Sequence, residues 1–228
     1  MIKHHPTFEL LQSFVNGDLP ASLAAGIAIH ADMCPKCQQQ IAQLTEQVAQ
    51  ASFEEVFLDR FIVDESPSND SIVSFDIDSM VEQITEHNDI AHVSSPKEKT
   101  IIFNDKQYQL PKALANMEFG STSHIGKLSR TRIQLNEDEI RTSLLHIEPG
   151  GGVPAHTHKG FELTLLLAGT FHDEHGEYVE GDFIMLDKSH THHPESPQGC
   201  LCYTIANDAL HFTQGINRLL NPIGTFIY

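Results

Sequence analysis

Between residues 8 and 63 apolar positions recur at helical spacing, and from about residue 101 the period shortens towards two. The hydrophobic pattern therefore divides the chain into a helical part and a β part. Leu10, Leu11, Phe14 and Val15 form the first helical stripe, with Thr7 as N-cap and Asn16-Gly17 supplying C-cap chemistry. Pro20 opens a second, Ala-rich helix that carries Leu23, Ile27 and His30, and a long third helix is expected from Cys34, its stripe continued by Ile41, Leu44 and Val48. Phe53, Val56, Phe57, Phe61 and Ile62 extend the apolar character further than so small a bundle covers easily. That surface either folds back as core or faces a partner.

Residues 64–100 are rich in Ser, Asp and Asn, with Ser66-Pro67 and Ser95-Pro96 as breakers, and read as a linker. Ile77, Met80, Val81 and Ile84 recur at helical spacing behind Asp76, so one short amphipathic helix interrupts it. Beyond it, strands are expected at Thr142–Ile147, Glu162–Leu167, Phe183–Leu186 and Leu201–Ile205, with turns at 149–152 and 180–182. Many short strands at this spacing suggest a barrel or jelly roll. The expected division is a helical unit over 1–90 and a β domain over 101–228.

Chemistry sharpens the helical half. His30-x3-Cys34-x2-Cys37 places an imidazole and two thiols within eight residues, which is most of a tetrahedral zinc site. His4-His5 offers the remaining ligand. Pro35 suits the first turn of a helix, so Cys34 and Cys37 are expected three apart on one face. Two buried thiols without a metal, or a thioredoxin-like redox pair, are the rival readings; the redox pair wants a βαβ setting, and this segment is helical on both sides. A helical unit of about 60 residues has a core worth only roughly 3 to 5 kcal/mol. Structural zinc, contributing on the order of 10 kcal/mol, would decide whether it is folded.

The β half carries a second constellation, His156-x-His158-x3-Glu162, with two imidazoles placed on one face by the strand period and a carboxylate shortly after. Zinc, iron, manganese or nickel accepts such a mixed set. His192 is the candidate fourth ligand, with His190 on the same face as the alternative and His193 pointing away.

The net charge is −17, and residues 1–90 hold 3 Lys/Arg against 15 Asp/Glu, a balance of −12. A field of that sign opposes direct binding of DNA or RNA and suits a basic protein partner. Neither a signal peptide nor an 18-residue apolar run is visible, and four cysteines are too few for a disulfide framework, so a cytoplasmic protein without membrane contact is expected. Cys200 and Cys202 share one face of a strand and are expected to pack in the core.

Gly150-x5-His156-x-His158-x3-Glu162-x6-Gly169 matches the first cupin motif at every fixed position. Gly181-x5-Asp187-x-Ser189-x2-His192-x3-Ser196 resembles the second motif, keeping its Gly and His and losing its Pro, second Gly and Asn. That resemblance selects His192 over His190. An N-terminal His5, then His30-x3-Cys34-x2-Cys37, then a cupin, resembles the ChrR type of zinc-dependent anti-sigma factor over nearly the whole chain. The resemblance implies a two-domain α + β protein, with a zinc-stapled helical bundle followed by an all-β cupin jelly roll. It carries His5, His30, Cys34 and Cys37 to a zinc site and His156, His158, Glu162 and His192 to a cupin site for zinc or another divalent transition metal. It also implies that the helical unit sequesters an alternative sigma factor of the extracytoplasmic-function type. The cupin would sense oxidative stress, singlet oxygen in the family's type member, and leaves room for a homo-oligomer. The rival from another class is a cupin metalloenzyme, a dioxygenase or isomerase with an accessory zinc domain; the helical module and the charge distribution speak for the regulator.

Overall fold

The computed structural model describes residues 1–61, 77–86, 98–208 and 211–212. Most of the expected linker, with Asp76 and Ile62, lies outside the described residues. Helix α1 (Phe8–Asn16) starts at Thr7, whose side chain accepts from the Leu10 N–H, and ends at Gly17 in the left-handed conformation, φ 79°. Helix α2 spans Ala21–Met33, α3 spans Pro35–Phe61 and α4 spans Ile77–Glu86.

The third helix begins one residue later than its apolar pattern suggested. Cys34 is extended, φ −121° and ψ 99°, and its carbonyl accepts the first bond of α3, from Gln38 N at 3.0 Å. Proline causes this, because its ring disfavours the helical conformation of the residue before it and its missing N–H costs nothing in a first turn. Cys34 is thus the joint between two helices, and Cys37 lies one turn inside the second.

The β part comprises β1 (Thr100–Phe103), β2 (Lys106–Gln109), β3 (Glu118–Ile125), β4 (Leu128–Gln134), β5 (Arg141–Ile147), β6 (Gly151–Gly152), β7 (His156–Thr157) and β8 (Phe161–Asp173). It continues through β9 (Gly176–Val179), β10 (Phe183–Asp187), β11 (Thr191–His192), β12 (Glu195–Ser196), β13 (Cys200–Ala206) and β14 (His211–Phe212). The main sheet runs β3-β4-β5-β13-β8-β12-β6, with β9 and β10 also paired to β8, and β11-β7-β14 form a small second sheet. All pairings are antiparallel, and together they make the curled sheet of a cupin jelly roll.

The centre of the main sheet is buried on both faces. One face of β13, with Leu201, Tyr203 and Ile205, packs in the cluster that also holds Leu11, Leu23, Ile27 and Ile29 of the helices. The opposite face, with Cys200 and Cys202, packs with Ile147, Val153 and Phe171 inside the barrel. Helix α2 is buried on nearly every side because it lies between the other helices and this sheet, which explains its Ala-rich, stripe-free composition. Gly26 permits the approach, since a Cβ there would sit 3.1 Å from Leu163 Cδ2. Tyr203 Oη donates to Ser22 O at 2.9 Å, and Ser22 N donates to Glu137 Oε1 at 3.0 Å. The helical unit and the cupin therefore share one core.

Helix α3 behaves differently along its length. Cys37 and Leu44 are buried, whereas the positions from Thr45 to Phe53 are exposed, with Val48 38 % and Phe53 75 % accessible. That stretch does not fold back as core. The side chains of Val56, Phe57 and Phe61 lie outside the described residues.

Candidate metal centres

Among the described residues, two groups of ligand-bearing side chains converge: His5, His30, Cys34 and Cys37, and His156, His158, Glu162 and His192, the ligand atoms of each lying within 4.8 Å of one another. The first group forms where the N-terminal arm, the end of α2 and the start of α3 meet. His5 Nδ1 is 3.4 Å from His30 Nε2, 3.5 Å from Cys34 Sγ and 3.6 Å from Cys37 Sγ, and His30 Nε2 is 3.3 Å from Cys37 Sγ. A tetrahedral zinc at ordinary bond lengths sets N···S edges of about 3.5 Å and N···N edges of about 3.3 Å. The donor set fits that ion. His4, the other N-terminal candidate, instead lays its ring 5.0 Å from that of Tyr178.

The cupin holds this first group from behind. His30 Nδ1–H donates to Gly181 O at 2.7 Å, which fixes the tautomer and turns Nε2 towards the thiols. Gly181 has φ 91°, and a Cβ there would run into Ile2. The fully buried Asp182 carboxylate accepts from Lys3 N and His4 N at 2.6 and 2.9 Å through one oxygen and from Val179 N at 2.8 Å through the other. Phe183 N donates to His4 O at 3.1 Å, so the arm is sewn to the turn between β9 and β10.

Burial lowers the affinity of His5 and His30 for a proton, and it pushes the Cys37 thiol up to about 11. At neutral pH the imidazoles offer lone pairs, and a metal must expel the Cys37 proton to gain that ligand. Zinc affinity at this site is therefore expected to rise at least tenfold per pH unit between pH 6.5 and 8.5, and more if both thiols lose protons. Chelator competition at three pH values measures it; an affinity independent of pH would contradict thiolate ligation.

The second group is assembled by pairing. His156 and His192 are directly opposite in the β7–β11 register, with Nε2 atoms 2.9 Å apart. His158 Nε2 and Glu162 Oε2 approach to 2.8 Å, and His192 Nε2 lies 3.4 Å from the same oxygen. His158 Nε2 and Glu162 Oε2 are nevertheless buried without an aligned hydrogen bond, so their lone pairs point at shared space. That is the disposition of atoms arranged around a cation, and imidazole with carboxylate fits a divalent transition ion. Supporting contacts orient the rings: His156 Nδ1–H donates to Pro154 O at 2.8 Å, and His192 Nδ1–H donates to Asp173 Oδ2 at 3.3 Å.

Electrostatics separate the members. Burial holds His156 down to about 4. Burial opposes ionisation of Glu162, but the imidazoles of His158 and His192 outweigh it and hold the carboxyl well below its usual range. Burial likewise disfavours charging of His192, yet Asp173 and Glu162 outweigh it and raise it to about 9. His190 is half-buried and pairs with Asp187 at 2.9 Å, while His193 faces Glu195 at 3.5 Å. Of the two alternatives, the fold gathers His192.

Asp173, Asp182 and Tyr178 were not among the sequence candidates. The Tyr178 hydroxyl donates to Asp173 at 3.2 Å. Cys200 and Cys202 are buried free thiols with sulfurs 3.9 Å apart.

Residues 114–209 match the ChrR cupin-like domain. Over 223 residues the chain is 25 % identical to the anti-sigma-E factor ChrR of Cereibacter sphaeroides, covering 97 % of each protein. The crystal structure of Rhodobacter sphaeroides SigE in complex with the anti-sigma ChrR is similar in fold, with a TM-score of 0.60 and 21 % identity over 90 % of this chain and 99 % of that one. With its helical His/Cys unit and its cupin in the same order, the chain is similar to the anti-sigma factor ChrR over nearly the whole length of both.

Proposed function

We propose that this protein is an anti-sigma factor. It binds an alternative sigma factor of the extracytoplasmic-function type through residues 1–90, with zinc on His5, His30, Cys34 and Cys37. The cupin, residues 101–228, carries a divalent transition metal on His156, His158, Glu162 and His192 and receives an oxidative signal that ends the sequestration. The carrying observation is α3: its first turn is pinned at the ligand cluster while its exposed stretch presents Val48 and Phe53 with nothing of the chain over them among the described residues. The relatives named above supply the kind of partner, and the −12 balance of residues 1–90 suits a basic one.

The two units share a core, so the test uses the full chain. A Val48→Glu, Phe53→Glu variant should lose at least thirtyfold in affinity for the sigma factor, the effect of removing a hot spot, with both metals retained. Unchanged affinity in a calorimetric titration would remove α3 from the interface. No helix among the described residues is long and apolar enough to cross a membrane.

A further inference from the structure

His192 reaches the second ligand group on a short support. It lies on β11, two residues long and paired with a two-residue partner, β7. The turn before it keeps neither the Pro nor the second Gly of the cupin pattern. Asp187 stands at the first of those positions and gathers Ser189 N and His190 Nδ1, both at 2.9 Å, bonds that end two residues short of His192. Strand pairing fixes where a Cβ points and leaves the side-chain torsions open, so the ring needs a holder of its own. The turn between β8 and β9 supplies one. Glu174 accepts from His193 N at 2.9 Å and holds the backbone, while Asp173 Oδ2 lies 3.3 Å from His192 Nδ1 and holds the ring.

The two oxygens of Asp173 have separate duties. Oδ1 accepts from His175 N at 2.8 Å, Gly176 N at 3.2 Å and the Tyr178 hydroxyl at 3.2 Å. Oδ2 faces His192, and the side chain is 1 % exposed. A carboxylate only accepts, so His192 Nδ1 is the donor and carries a hydrogen. Nε2, with His156 Nε2 at 2.9 Å and Glu162 Oε2 at 3.4 Å, is then the atom that can offer a lone pair to the group.

We infer that Asp173 is a positioning residue that fixes the tautomer and orientation of His192, and that the cupin site binds a divalent transition ion tightly only while it does so. The inference rests on the reading of His156, His158, Glu162 and His192 as ligands. Asparagine sharpens the test. His175 N and Gly176 N are donors, so the amide of an Asp173→Asn variant keeps its oxygen on them and turns its NH2 towards His192. Nδ1 must then accept, the hydrogen moves to Nε2, and the lone pair facing the group is lost, as when Asn replaces the Asp behind a catalytic His. Alanine removes the holder without reversing the tautomer. A role confined to the turn predicts the opposite ranking, since Ala leaves two backbone N–H groups without their acceptor and Asn does not.

Cobalt(II) titration of the full chain, followed by absorption, reads the two sites apart, because the thiolates of the first group give a charge-transfer band that imidazole and carboxylate lack. The wild type should take up two ions. At the site without that band, Asp173→Ala should bind at least tenfold more weakly than the wild type, and Asp173→Asn at least tenfold more weakly again. The thiolate site should be unchanged in both, and the metal-free Asn variant should melt above the Ala variant. An Asn variant that binds as tightly as the wild type or the Ala variant would overturn the inference and leave the ligand reading intact. A wild type that takes up cobalt at the thiolate site alone would overturn both. Should either variant fail to fold, imidazole nitrogen–proton NMR spectra of the zinc-loaded wild type decide: His192 should carry its hydrogen on Nδ1, and its absence there would overturn the inference.

Discussion

A Cys34→Ser, Cys37→Ser double variant is expected to retain the cupin metal alone and to lose protection from hydrogen exchange in residues 1–16 and 35–53. The side chains of the first group come from the arm, α2 and α3, so an ion held by them would tie together three segments. Structural zinc contributes on the order of 10 kcal/mol in domains that have little else. Here the loss is partial, because α2 has an apolar bed of its own against β8 and β13 and stays docked without the metal. The reading from sequence alone, that the whole helical unit would unfold, gives way to a local release of α1 and α3 around a retained α2. Binding of the sigma factor should fall below detection in the same variant, since the exposed stretch of α3 would no longer be held at a fixed angle. Two metals per chain in the variant, or unchanged exchange in α1 and α3, would refute the ligand assignment.

How much of this was legible in the chain depended on whether the determinant was local. The C-x2-C with its neighbouring histidine and the paired cupin motifs are local patterns, and they nominate seven of the eight residues that the fold gathers; His5, from a separate His4-His5 pair, was chosen by the resemblance. The caps of α1, Thr7 and Gly17, were equally local. What the pattern could not reveal was relative placement. Leu201, Tyr203 and Ile205 read as one face of a strand and Cys200 and Cys202 as the other, but nothing in the alternation tells that a helix from residues 21–33 covers the first face. The separation into two independent units followed from the linker composition, whereas the shared core depends on contacts between residues more than a hundred positions apart. Asp182 was invisible for the same reason: its partners Lys3 and His4 lie 179 and 178 positions away.

A Glu162→Ala variant is expected to lose the cupin metal, keep the first metal, hold the sigma factor and fail to release it under oxidative stress. Removing the carboxylate takes one of four donors and also the anion that lies between His158 and His192, so the cupin site should be emptied or weakened by a factor of about ten to a hundred. A series of contacts joins that site to the arm. His192 is buttressed by Asp173, Asp173 accepts from Tyr178, the Tyr178 ring meets that of His4, and Asp182 ties Val179 to Lys3 and His4 beside the ligand His5. A signal at the cupin would shift sigma release only through contacts that differ between the bound and released states, and this strip touches both sites. Asp182→Asn should therefore give the same silence with both metals in place, because the amide sets an N–H donor against one of the N–H groups the carboxylate serves. A reporter driven by the sigma factor separates the outcomes. Low expression with and without oxidant in both variants is the expected result; normal induction in Glu162→Ala with the cupin metal shown to be absent would remove the cupin from signal reception, and high uninduced expression would assign it to inhibition instead.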